Sequence, residues 1–321
     1  MNKQSTGSSP HARSINSDSI HILDDNSLLN IFSLYRPAIF DGDEDEEVRI
    51  LGGRKWDREQ WWYKLAHVCQ RWRNLIIGSP SHLGVCLVCT YGTPVADVLA
   101  LSPPLPLVID YFNSDQDITT EEEGIILALE QRDRVRRIRL LVAVPNLQKF
   151  ITSIDEEYPM LEYLIMRASN IRSAALTLSE SLQAPHLRCL ALRNFVLPTG
   201  SQLITTAVGI VTFCLIMDHP TTYVPPNTLL QRILFIPQLE TLMICFSFPV
   251  PNHHVERQPT HTPTITHVTH PYLSSFRFRG VSACLEAVLL RIVTPRLEKF
   301  SIHLRSLRHS VRSTPLCSPD D

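Results

Sequence analysis

The residues able to do chemistry in this chain of 321 are few and scattered. Cys86-x-x-Cys89 has the spacing of a metal-ligand or redox pair, but no second Cys or His pair stands at a matching distance. Both thiols also lie in the strand-like run Val85-Cys86-Leu87-Val88-Cys89, which points to structural cysteines. His253, His254, His261, His267 and His270 crowd one polar stretch, although a specific zinc site needs fixed geometry and outer partners that orient each ring. Arg132, Arg134, Arg136, Arg137 and Arg139 alternate with Val135, Ile138 and Leu140. On a strand this sets guanidinium groups on the solvent side, as a charged sheet face or a site for an acidic partner. The sequence holds no Gly-x-Ser-x-Gly elbow, Walker loop, dinucleotide fingerprint or His-Glu-x-x-His. The expectation is a non-catalytic protein with no cofactor and no metal.

The totals narrow the class further. Apolar residues make up 44% and charged ones 19%, which predicts a globular chain. A net charge of −2 is not that of a protein built to hold nucleic acid or an anionic membrane. The arginines are not interleaved with aromatic residues either. Eight cysteines sit mostly inside apolar runs, and Met1 to Ser19 is polar with no apolar core of a signal peptide. Reduced thiols in a cytoplasmic or nuclear protein are expected. The longest uncharged apolar stretch, Leu203 to Met217, holds three threonines. It is shorter than the roughly 18–20 residues of a membrane span and predicts buried core.

What must position these residues is a loose repeat of apolar-x-x-apolar-x-apolar. It begins at Val135, Leu161, Leu187, Ile210, Leu239, Leu273 and Leu297, with starts 26, 26, 23, 29, 34 and 24 residues apart. Most intervals lie near the 20–29 residues of leucine-rich repeats. Pro159, Pro185, Pro237, Pro271 and Pro295 each stand two residues before the first apolar position, where a proline ends one segment and delivers the chain into a strand. Outer helices or turns are expected between strands, as over Leu147 to Glu156 and Leu285 to Val293. Stacking such units gives a continuous core and a short-stranded parallel sheet. Leu83-x-x-Cys86-x-Val88 and Pro106-Leu107-Val108-Ile109 read as two irregular leading strands. The asparagine that follows the strand in the tightest such repeats occurs only as Asn194, so the array is degenerate.

Ahead of the repeats lie two helical signatures. In the first, Asp24 or Asp25 can cap a helix whose apolar residues Leu28, Leu29, Ile31, Phe32 and Tyr35 precede Pro37. In the second, Leu65, Val68, Cys69, Trp72, Leu75 and Ile76 fall on one helical face, and Gly78-Ser79-Pro80 ends it. Between them Asp41 to Glu47 holds six acids in seven positions, expected as a solvated loop. The stretch Leu-Asp-Asp-x-x-Leu-Leu-x-Ile-Phe from Leu23, with Val-Cys-x-x-Trp-Arg-x-Leu from Val68 and then Ser79-Pro80 and Leu83, resembles the F-box family. Asp24 stands where that family carries proline. Joined to the degenerate repeats, the pattern resembles the expanded F-box proteins of mushroom-forming fungi.

The resemblance implies an α+β protein: a small helical F-box, then an irregular leucine-rich-repeat-like α/β solenoid with a short-stranded parallel sheet. The expected organisation is a disordered tail at 1–19, an F-box-like domain at 20–83 with an acidic insertion at 40–60, repeats at 84–304 with an exposed loop at 250–271, and a tail at 305–321. By the same resemblance the chain is the substrate-recognition subunit of an SCF-type ubiquitin ligase. Its F-box docks on a Skp-type adaptor, and through it on a cullin–RING ligase, while the repeats hold an unidentified target. Leu23, Leu28, Leu29, Ile31, Phe32, Val68, Cys69, Trp72, Leu75, Ser79, Pro80 and Leu83 are the residues implied in adaptor binding or its support. The alternative is a non-catalytic interaction scaffold whose F-box is vestigial or works without a cullin.

Overall fold

A computed structural model describes residues 23–36, 61–113, 120–168, 175–247 and 267–304. Both expected tails, the acidic insertion and most of the expected loop at 250–271 lie outside them. The described chain divides into two compact units, 23–36 with 61–85, and 86–304. It is mixed α and β, with a mostly parallel sheet. No helix among the described residues is long and apolar enough to cross a membrane.

The first unit is helical: α1 (Asp25–Leu34), α2 (Trp62–Ala66), α3 (Gln70–Gly78) and α4 (Pro80–Leu83). The unbroken helix expected from Leu65 onward is in fact two, because Cys69 takes an extended conformation (φ −158°, ψ 168°) between α2 and α3. That break turns Val68 out, leaving it 59% exposed rather than on a shared apolar face.

Among the described residues the second unit carries thirteen strands: β1 (Leu87–Thr90), β2 (Leu107–Asn113), β3 (Val135–Val142), β4 (Tyr163–Ala168), β5 (Leu176–Thr177), β6 (Cys189–Arg193), β7 (Phe195–Val196), β8 (Thr212–Met217), β9 (Thr241–Phe246), β10 (Val268–Thr269), β11 (Ser275–Gly280), β12 (Ile292–Val293) and β13 (Lys299–Leu304). Nine form one sheet in chain order, β1-β2-β3-β4-β6-β8-β9-β11-β13, every neighbouring pair parallel. Between them run α5 (Val95–Leu101), α6 (Thr120–Leu129), α7 (Val144–Ser153), α8 (Gln202–Thr206), α9 (Pro226–Leu234) and α10 (Ser282–Leu289). Leu203 to Met217 runs through α8 and β8 and is largely buried, although Thr205 and Val208 are exposed.

The apolar repeat is the register of this sheet. Ile138, Leu164, Leu190, Phe213, Leu242, Phe276 and Phe300 are successive cross-strand partners. Leu140, Met166, Leu192, Leu215, Ile244, Phe278 and Ile302 form the next row. Full burial of one such side chain contributes about 1.5–3 kcal/mol, and every member of both rows before β13 is buried. Each proline sits at the second position of a β-turn, where its fixed φ is already right. The turns close through N–H groups of Leu161, Leu187, Leu239, Leu273 and Leu297, which donate to the carbonyls of Tyr158, Ala184, Ile236, His270 and Thr294 at 3.0–3.4 Å. Ile210 closes the same turn on Ala207 at 3.3 Å without a proline.

The leading strand and the end of the expected loop differ from expectation. The first leading strand is out of phase: Leu87 and Cys89 pair with Leu107 and Ile109, while Cys86 and Val88 cluster with Val108 on the opposite face. Leu83 closes α4, and Gly84 at φ +64° ends it, so the short link that follows resets the alternation. A one-residue shift changes the face of every side chain in a strand. The end of the expected exposed loop is not exposed throughout either, since Val268 and His270 are buried.

His270 opens its turn at the place held in the preceding repeats by buried Tyr158, Ala184, Ala207 and Ile236. Among the described residues neither ring nitrogen has a hydrogen-bond partner, and burial pushes its pKa below the ordinary histidine value. Below about pH 6.5 the unfolded chain takes up a proton that the folded one resists, so this site lowers stability as pH falls. His270→Leu is expected to remove that loss. The stability gap between variant and wild type, measured by urea unfolding, should widen from pH 7.5 to pH 5.5 by up to about 1.4 kcal/mol per pH unit.

Asn194 follows β6 at φ +63°, a conformation that asparagine tolerates better than most residues. Its Oδ1 accepts the backbone N–H of Asp218 at 2.6 Å, tying the end of β6 to that of β8. Asn194→Ala should cost about 2–4 kcal/mol in urea unfolding, combining left-handed strain with an orphaned amide. Asn194→Gly should recover only the strain.

Candidate docking surfaces

The first unit begins with a cap. Asp24 accepts from the backbone N–H of Ser27 at 2.9 Å and from its hydroxyl at 2.7 Å. The Ser27 side-chain bond, then its backbone bond, hold the Asp24 carboxyl below its usual pKa. Asp24 therefore starts the helix. From that start Leu28 and Phe32, one turn apart, point inward, while Ile31, Leu34 and Tyr35 remain exposed. Phe32 meets Trp72 of α3 edge-on, with centroids 4.7 Å apart. Arg71 of α3 donates to the Leu23 carbonyl at 2.6 Å and to Asp25 Oδ1 at 2.8 Å, and Arg73 reaches back to the Ala66 carbonyl at 3.1 Å.

The twelve residues singled out in the sequence thus divide. Leu28, Phe32 and Leu83 are core; Leu23, Leu29, Cys69, Trp72, Leu75, Ser79 and Pro80 are half-buried; Ile31 and Val68 are exposed. An open groove is lined by Asp25, Gln70, Arg71, Asn74, Leu75, Gly78 and Ser79. Of these only Leu75 and Ser79 were sequence candidates. The polar ones were legible as well, because Gln70, Asn74 and Gly78 recur at the four-residue spacing of one helix face.

In the second unit the chemistry-bearing residues are structural. Cys86 and Cys89 lie on opposite faces of their strand and cannot share a ligand. Burial pushes the Cys89 thiol up to about 11, far from a reactive thiolate. His253, His254 and His261 lie outside the described residues, and His267 is exposed. Among the described residues no group of three or more His, Cys, Asp or Glu could hold a metal. The arginine cluster, expected on the solvent side, largely clamps neighbouring segments. Arg132 pairs with Asp155 and Glu156, Arg134 donates to the carbonyls of Leu105 and Pro103, and Arg136 bonds Glu162 at 2.8 Å. Arg139 faces Asp110 at 3.4 Å, and Arg137 lies over the Tyr163 ring at 4.5 Å. A buried carboxylate that the sequence did not flag, Glu122 on α6, accepts from Tyr111 at 2.7 Å and Asn113 at 3.0 Å on β2. It fastens α6 to the sheet.

The sheet has two unlike faces. On one, Tyr111 packs edge-on against Phe150 of α7, with centroids 6.0 Å apart. On the other, Ala191, Cys214, Ile216, Met243 and Cys245 form a buried cluster with Ile165 packed against it. Arg139, Arg167, Arg193, Arg277 and Arg279 share the strand positions of this second face, where Arg139 is paired with Asp110 and Arg193 with Asp218.

No family model, curated protein or solved structure matches the chain.

The division of the first unit gives a direct expectation. Leu28→Asp should unfold it, losing roughly 3–5 kcal/mol through an unpaired buried charge. Ile31→Asp, on the exposed side of the same helix, should change stability by less than about 1 kcal/mol. Circular dichroism during thermal unfolding compares them; equal losses would contradict the assignment of core and surface.

Proposed function

We propose that the chain is a non-catalytic substrate receptor of an SCF-type ubiquitin ligase. Its first unit acts as an F-box that docks on a Skp-type adaptor, and its second is a degenerate leucine-rich-repeat array that holds the target protein. The observation that carries the proposal is the Phe32–Trp72 contact. The two sequence signatures quoted for the resemblance lie far apart in the chain, yet they close one small helical core around that pair. The Asp24 cap supports the reading, since it starts α1 at the position where the F-box family carries proline.

The mechanism needs no reactive side chain. Ile31 and Val68, with Leu34 and Tyr35 beside Ile31 on α1, give the apolar surface that a helix-binding adaptor buries. Trp72, half-buried against Phe32, fixes the angle between α1 and α3. Holding the target beside the ligase raises the effective concentration of its lysines at the activated ubiquitin. Leu28 and Phe32 are unsuitable probes of docking, because their loss would unfold the unit.

The test is co-purification of the full chain with a Skp-type adaptor. Wild type should bind, and Ile31→Asp with Val68→Asp should weaken binding by at least about tenfold while keeping its helical signal. Failure of the folded wild type to bind would reject the proposal.

A further inference from the structure

The nine-stranded sheet ends on β13, which among the described residues pairs on one side only, with β11. This terminal strand is amphipathic, and both of its faces are largely open. Phe300, Ile302 and Leu304 prolong the apolar rows of the sheet yet are 47%, 38% and 56% exposed. Phe300 stacks on Phe276 of β11, with centroids 5.7 Å apart. On the opposite face Lys299 and His303 stand across from Ser275 and Arg279, with Arg277 between, so this corner of the sheet is cationic. A free strand edge flanked by exposed apolar side chains is a template for one more strand.

We propose that β13 is a docking edge for an extended partner segment that alternates apolar and acidic residues. Such a segment pairs its backbone with the open edge. It lays its apolar side chains beside Phe300, Ile302 and Leu304, and its carboxylates beside Lys299, His303 and Arg279.

Charge and pattern select this occupant over the others at hand. A second copy pairing through β13 would bring the cationic corners of both copies together. Residues 305–321 contain Arg305, Arg308 and Arg312 and no acid before Asp320, so they have the wrong sign. The acidic run Asp41–Glu47 has the right sign but no apolar residue with which to cover Phe300 or Ile302. The inference concerns the second unit alone and stands whether or not the first docks an adaptor.

The experiment titrates the full chain, without adaptor, into a fluorescein-labelled heptapeptide alternating glutamate with isoleucine, valine and leucine. The control peptide carries lysine at each glutamate. The glutamate peptide is expected to bind about tenfold more tightly than the lysine peptide by fluorescence anisotropy. It should also slow amide exchange across 299–304, and Arg279→Glu with Lys299→Glu should reverse the preference. Both side chains are exposed, so this variant should unfold at the wild-type temperature; if it does not, Lys299→Glu alone makes the comparison. Equal affinity for the two peptides, an unchanged preference in the variant, absence of saturable binding, or dimerisation through β13 would each overturn the proposal.

Discussion

The second unit depends on a single constraint, the phase at which each strand joins its neighbour. One residue ahead of each strand, the N–H groups of Glu162, Arg188, Val211, Glu240, Ser274 and Glu298 donate to the carbonyls of Arg136, Glu162, Arg188, Val211, Glu240 and Ser274 at 2.8–2.9 Å. This chain of bonds starts where the proline turn ends, so turn and strand lock together. Once the phase is set, alternate side chains stack into continuous rows, and slippage by one residue would turn those rows inside out. Loops can then vary in length at little cost. The irregular intervals between repeats are tolerated because the variation falls outside the turn and the strand.

This constraint also explains what the sequence revealed. Spacing alone located seven strands in register, since the face that packs under the outer helices demands a continuous apolar row. It misplaced Cys86 and Val88 because Leu83 belongs to the helical unit, and composition carries no mark of where one alternation stops and another begins. His270 was hidden for a different reason. A histidine in a polar, histidine-rich stretch reads as exposed, and only the stacked turns show that its position is an apolar column. The break at Cys69 was similarly invisible, because the helical period runs through it unchanged while the backbone does not.

In both units the residues that hold the fold are largely distinct from those left to meet a partner. In α1, Leu28 and Phe32 close the interior while Ile31 and Leu34 lie outward on the same short helix. In the sheet, ion pairs such as Arg136–Glu162 join consecutive repeats, while the terminal strand keeps apolar rows with nothing stacked beyond them among the described residues. The polar contacts of Arg71 and Arg73 belong to the first group: they bind helices to one another. Separated in this way, the exposed residues can change without loss of the frame.

The most direct test of the two-part account is an amide hydrogen-exchange map of the full chain with and without a Skp-type adaptor. Protection is expected over 23–36 and 61–85, with the sheet unit unchanged. Protection confined to 86–304, or none in a complex shown to form, would contradict it.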